Sequence, residues 1–203
     1  MSEHTSPDPG LIRRLIDTVA EAIIARAGEL TALDQAIGDG DHGLNMKRGF
    51  EAVRAAADKI AAKPPAEALG AIGMQLVTKV GGASGPLYGT LFIALGKAIG
   101  ATPDFATAFA RAIDAVKARG KSDTGQKTLL DVLVPVQRAL AAGGPDLPAC
   151  LSAIAQQAAE ATVPMRATRG RASFLGERSI GHMDPGARSA AIMVAAVCRV
   201  LGS

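Results

Sequence analysis

Aromatic side chains are almost missing from this sequence: among 203 residues there is no Trp, one Tyr and five Phe. Its core must therefore rest on aliphatic and small side chains, and with 48% hydrophobic residues it has enough of them. A basic stripe is missing as well. Lys and Arg are scattered and the net charge is only +3, which argues against nucleic acid as a partner. The two cysteines, Cys150 and Cys198, stand far apart without metal-ligand spacing and read as buried, reduced thiols. No uncharged apolar run reaches the roughly 18–20 residues of a membrane span. The polar start "MSEHTSPDPG" carries no signal-peptide pattern, so a cytoplasmic protein without membrane contact is expected.

What is present is alanine and helical periodicity. Asp8-Pro9 has the form of an N-cap followed by a first-turn proline. Leu11, Leu15, Val19 and Ile23 then recur every fourth residue, predicting a helix to about Leu30. Further helices are predicted over 43–62, 66–80, 84–100, 103–119 (opened by Pro103), 127–142, 145–165 and 185–201, separated by Pro or Gly signals. Strand evidence is thin. The best candidate, "LLDVLVPV" at 129–136, is interrupted by Asp131 and Pro135. The expectation is an all-α fold, a single domain over 1–203 built as an enlarged bundle of about eight helices. The longest irregular stretch, 166–184, is too rich in apolar and specific polar residues to read as disordered, and long loops of this kind are usually functional.

The chemistry concentrates in "LDQAIGDGDHGLN", residues 33–45. Gly38 to Gly43 formally fits the G-x-G-x-x-G dinucleotide fingerprint, but the residues before it read as a helix end, not a strand. No P-loop pattern is present, and an EF-hand would need Asp or Asn where Gly43 stands and Glu where Phe50 stands. Asp34, Asp39 and Asp41 repel one another unless a cation lies between them. Hard oxygen donors with a single His suit Mg²⁺ or Mn²⁺ better than Zn²⁺. The adjoining helix start offers free N–H groups and a positive dipole end to phosphate. An ordinary Asp-Gly turn with an N-cap is the competing reading of these six residues. Two more clusters invite the same question. "GGASGPLYGT" at 81–90 opens a helix with Ser84, or simply lets helices pack closely. The 166–184 loop carries Arg169, Arg171, Arg178, His182 and the Asp184-Pro185-Gly186 turn, or is a solvated connector.

Taken together, "LDQAIGDGDHGLNMKRGF", "GGASGPLYGT", "KTLLDVLVPV" and "GRASFLGERSIGHMDPGA" resemble the nucleotide-binding L subunit of dihydroxyacetone kinase, the DhaL-like family, in order and spacing across essentially the whole chain. The resemblance implies a barrel of eight antiparallel helices with ATP or ADP at one end. It implies two Mg²⁺ ions held by Asp34, Asp39 and Asp41. It further implies nucleotide contacts from His42, Gly43, Leu44, Asn45, Ala83, Ser84, Gly125 and Val134, with Arg171 and Asp184-Pro185-Gly186 closing over the nucleotide. The implied partner is a separate K subunit carrying a short ketose, dihydroxyacetone or a tetrose, with a phosphotransferase-system phosphocarrier where bound ADP is recharged. The alternative is a regulatory subunit that senses nucleotide.

Overall fold

The computed structural model describes residues 9–102 and 104–202, so the caps expected at Asp8 and Pro103 lie outside the described residues. Among the described residues ten α-helices follow one another: α1 (Pro9–Ala25), α2 (Ala27–Ile37), α3 (His42–Ala55), α4 (Ala57–Ala61), α5 (Pro65–Lys79), α6 (Ser84–Ile99), α7 (Phe105–Gly120), α8 (Leu130–Ala142), α9 (Leu147–Glu160) and α10 (Pro185–Leu201). A 3-10 segment, Arg171–Ser179, lies between α9 and α10. No strand occurs among the described residues, and the "LLDVLVPV" stretch is helical, as α8.

Two expected helices are each divided. Arg26 leaves helical backbone geometry (φ −106°, ψ 13°), ending α1 and letting α2 run on to Ile37. Ala56 (φ −97°, ψ 6°) separates α3 from α4 in the same way. The helix expected from 127 starts only at Leu130, because Lys127 is in the left-handed region (φ 62°). That expected over 145–165 stops at Glu160, and Pro164 forbids a long continuation. Asp104 caps α7 by accepting from the N–H groups of Ala106 and Thr107, and Pro65 takes the first position of α5, where a missing N–H costs nothing.

The ring closes. α1 packs on α3, α3 on α5, then α5, α6, α7, α8, α9 and α10 each on the next, and α10 returns to α1. The chain reverses between neighbours of the ring, giving the eight-helix antiparallel barrel with α2 and α4 outside the ring. The connections are short except for α2 between α1 and α3 and the long 161–184 segment before α10. Without large rings, the core is filled by Ile23, Leu30, Met46, Leu76, Leu130 and Val132 around Phe50 and Tyr88. Fully buried Ala20, Ala108, Ala112, Ala155, Ala187 and Ala190 let the helices approach closely. α5 and α6 touch backbone to backbone: a Cβ at Gly73 would lie 2.8 Å from the carbonyl oxygen of Gly89. Both cysteines are free; Cys198 is buried, but Cys150 is exposed on α9, against the expectation, since its helix turns it to solvent. Among the described residues no helix is long and apolar enough to cross a membrane.

Candidate functional site

A cleft of about 530 Å³ opens where four helix starts meet: His42 of α3, Ser84 of α6, Pro185 and Gly186 of α10, and Thr128-Leu129 just before α8. The positive ends of these helix dipoles converge on the floor of the cleft and favour an anion there, although the N–H groups of His42, Leu130 and Ala187 already donate to Asp34, Thr128 and Asp184. Arg119, Arg169 and Arg171 line it as well.

Three carboxylates stand against this positive field. Asp34, buried in the last turn of α2, uses Oδ2 to accept from the backbone N–H of Asp41 (2.8 Å) and of His42 (3.0 Å). That pair of bonds folds the loop 38–41 back on the helix. It brings one oxygen each from Asp34, Asp39 and Asp41 within 4.8 Å of one another. Oxygen-only donors at this separation fit a hard divalent cation such as Mg²⁺. Across the cleft the Arg171 guanidinium lies 3.0 Å from Asp39 Oδ2.

His42 is the hinge of a buried polar chain. Its Nδ1 lies 3.0 Å from Ser84 Oγ and its Nε2 3.0 Å from Ser189 Oγ. Tyr88 continues the chain: its hydroxyl is 2.7 Å from Ser189 Oγ and donates to the carbonyl of Gly186. Burial pushes the His42 pKa down, against the pull of Asp34 and Asp41, so the ring is neutral and each nitrogen serves one hydrogen bond. Three cleft elements, α3, α6 and α10, are thereby tied together. Asp184 caps α10 by accepting from Ala187 N–H, and burial raises its carboxyl to about 7.

Ten of the predicted residues line the cleft: Asp34, Asp39, Asp41, His42, Ala83, Ser84, Arg171, Asp184, Pro185 and Gly186. Five do not. Gly43 packs α3 on α2, where a Cβ would come within 2.0 Å of the Ala27 carbonyl oxygen. Leu44 is 63% exposed on the outer face of α3. Asn45 is buried behind Gly81 and Gly82, where it accepts from Arg48. Gly125 donates its N–H to Asp131. Val134 is buried in the core. Lining residues that the sequence reading did not single out are Arg119, Lys127, Thr128 and Leu129. Lys127 sits in the "GQKT" stretch, and neither spacing nor periodicity marks it there.

The DAK2 domain family matches this chain over residues 36–199. The chain belongs to that family. It is 46% identical over 176 residues, 81% of this chain and 84% of the relative, to the ADP-binding subunit of the PEP-dependent dihydroxyacetone kinase of Escherichia coli. To the ADP-binding subunit of PEP-dependent dihydroxyacetone kinase 1 of Listeria innocua it is 42% identical over 184 residues, 89% of this chain and 90% of the relative. Its fold matches the crystal structure of the dihydroxyacetone kinase from C. freundii in complex with AMP-PNP and Mg²⁺, with TM-score 0.78 at 24% identity over 98% of this chain. This DAK2 chain spans only 36% of that longer kinase.

Proposed function

We propose that this chain is the nucleotide- and Mg²⁺-binding subunit of a dihydroxyacetone-type kinase, acting as a single domain over 1–203. In this reading it carries ADP that is recharged and then donates its terminal phosphoryl group to a short ketose held on a separate K subunit. The observation that carries the reading is the carboxylate triad, with ligand atoms within 4.8 Å, set against convergent helix starts. An acidic cluster alone would repel a nucleotide and a set of helix starts alone would bind any anion; together they select an anion that arrives with divalent cations. Divalent ions at Asp34, Asp39 and Asp41, two by the family resemblance, supply positive charge that neutralises the phosphate oxygens.

The protein's own groups then have assignable tasks. The α3, α6 and α10 starts hold phosphate oxygens through backbone N–H groups. Neutral His42 keeps Ser84 and the Gly186 turn in register. Arg171 stands where it can leave Asp39 for a phosphate oxygen. The two lining groups that could capture a carbonyl are spent on internal bonds, Lys127 on backbone carbonyls and His42 on Ser84 and Ser189, which supports a ketose and attacking hydroxyl supplied by the partner. Exposed apolar residues beside the cleft elements, Leu44 on α3 and Phe174 (89% exposed) next to Arg171, fit a docked protein. The ADP-binding, PEP-dependent relatives favour recharging of bound ADP by a phosphocarrier over exchange of free ATP.

The test is sugar phosphate formed from dihydroxyacetone or erythrulose by the chain alone, with a K subunit, and with a K subunit plus phosphocarrier proteins and PEP. Turnover is expected only with the K subunit, and with catalytic amounts of ADP only when the phosphocarriers are present. Robust sugar phosphorylation by the isolated chain overturns the reading.

A further inference from the structure

Lys127 is 1% exposed, yet no carboxylate lies within salt-bridge distance of its ammonium. The Nζ atom is instead surrounded by backbone carbonyl oxygens: His182 at 2.6 Å, Ser179 at 2.7 Å, Thr162 at 2.9 Å, Met165 at 3.0 Å and Val163 at 3.4 Å. An ammonium has three hydrogens, so five oxygens cannot each take one. Carbonyl dipoles converging on one positive centre in greater number than its donors form the coordination shell of a monovalent cation. The five oxygens come from three separated points, 162–165, 179 and 182, which bracket the whole segment carrying Arg169 and Arg171. Other ties are scattered along the segment: a small apolar cluster of Ala167, Ala172 and Leu175 on Ile37, and the Ser179 hydroxyl accepting from Ala167 N–H. Gly181 N–H donates to the Val163 carbonyl, Thr168 N–H and the Arg169 side chain donate to Gln126, and Arg171 meets Asp39. Among the described residues the Lys127 ammonium alone gathers 162–165, 179 and 182 on one atom. The backbone of Lys127 is itself committed to the task, held left-handed at φ 62° just before α8.

We propose that the Lys127 ammonium is a built-in substitute for a bound monovalent cation, filling a carbonyl cage that fixes the 162–182 wall and so sets the position of Arg171 over the cleft. Lys127 is in this account a positioning residue: it orders the wall, and Arg171 meets the ligand. The cage stands on its own geometry. Only the consequence for nucleotide binding rests on the function proposed above.

An empty cage of this kind accepts a cation of the right size from solution, and that gives a test. Lys127→Ala is compared with the wild-type chain in choline chloride, KCl and NH4Cl, reading trypsin cleavage within 166–178 and Mg·ADP affinity. In choline, the loss of a buried charged donor exposes the segment, with cleavage faster by about tenfold or more. K⁺ or NH4⁺ restores protection to within about threefold of wild type, while the wild-type chain is indifferent to the salt. Equal cleavage of the variant in choline and in K⁺, or wild-type protection in choline, overturns the proposal. If Lys127→Ala is insoluble in every salt, Lys127→Arg and Lys127→Gln decide. The cage requires the cation, so Arg must protect the segment better than the neutral, similarly long Gln, and no advantage for Arg overturns it. If cation rescue of protection occurs while Mg·ADP affinity stays unchanged throughout, the cage stands and the assignment of Arg171 to the nucleotide fails.

Discussion

On one side of the cleft the acidic loop is locked by a network of buried and half-buried bonds. Asp34 holds the N–H groups of Asp41 and His42, and His42 is in turn fixed on both ring nitrogens. On the other side the 162–182 wall has only a kinked 3-10 segment at Arg171–Ser179, a three-residue apolar foothold, a few backbone bonds such as Gly181 N–H to the Val163 carbonyl, and one buried lysine, and its Arg171 side chain is 68% exposed. The contrast follows from what each wall has to hold. Three carboxylates kept close together repel one another, and only rigid anchoring keeps them so before a cation arrives. An arginine that serves a phosphoryl group must exchange partners, and that needs a segment drawn from the less stable part of the fold.

The largest expected effect falls on the locked wall. Asp34→Ala removes a proposed cation ligand and also strands one buried and one half-buried N–H group. Mg²⁺-dependent ADP affinity is expected to fall on the order of 100-fold or more. The melting temperature is expected to fall by about 5–10 °C, from hydrogen bonds to a charged acceptor worth about 1.5–3 kcal/mol each. Asp39→Asn, at a partly exposed position, is expected to lose a similar share of Mg²⁺-dependent affinity with melting unchanged or slightly raised, because one repelling charge is gone. Titration calorimetry with and without Mg²⁺, beside thermal melts, checks both. Equal melting losses in the two variants would break the distinction between an anchoring and an outer carboxylate.

Asp184 lies where the walls meet: its N–H donates to Thr162 Oγ1 and its turn lines the cleft. Burial is the main reason its carboxyl rises from 3.8 to about 7, with Asp131 and Asp34 adding to it and the α10 cap and Lys127 opposing it. The Lys127 ammonium spends its hydrogens on carbonyls and does not neutralise it directly. The folded state therefore binds this proton more tightly than the unfolded chain. Its stabilising contribution is complete below about pH 4 and lost as pH rises through about 7, on the order of 1–3 kcal/mol. Asp184→Asn keeps a good cap and removes the proton. In EDTA its stability relative to wild type is expected to climb between pH 4 and 7 and stay level above. A difference that does not change with pH in denaturant melts would show that Asp184 is ionised in the fold.

Residue type and spacing made the locked wall readable. Three Asp beside glycine and a helix start point to a cation and phosphate site, but an ordinary Asp-Gly turn competes with that reading until the other motif blocks are read with it. The closed barrel is implied by the family resemblance, while the all-α class and most helix positions followed from apolar periodicity and Pro and Gly signals. The breaks at Arg26 and Ala56 did not, because neither residue is a helix breaker by type and the departure is imposed by packing. Val134 shows the limit of carrying residues over by motif: its place on α8 turns it into the core, and only the assembled bundle decides that. His42 depends on serines 42 and 147 residues away, a relation no local pattern contains. Lys127 opens the quoted block "KTLLDVLVPV", yet its burial was not legible: lysine is ordinarily solvated, and one satisfied entirely by backbone has no partner residue type to mark it.

The smallest effects, and the most discriminating, concern Arg171. Its contact with Asp39 is largely solvent-exposed, so Arg171→Ala is expected to shift melting by no more than about 1–2 °C. Without nucleotide, the guanidinium competes with a divalent ion for Asp39. Removing it is expected to leave Mg²⁺ or Mn²⁺ affinity unchanged or tighter by up to about threefold, since one opposite charge near the ligand is lost. With nucleotide the sign reverses. A charge-assisted bond to phosphate is missing, and Mg·ADP is expected to bind about tenfold more weakly. Arg171→Lys, which keeps the charge but not the planar fork, is expected to fall between the two. Mn²⁺ titration followed by electron paramagnetic resonance, with and without ADP, reads both signs in one experiment. If the substitution weakens the bare cation as much as the complex, Arg171 is holding the acidic loop in place, and the second wall is as much a part of the locked scaffold as the first.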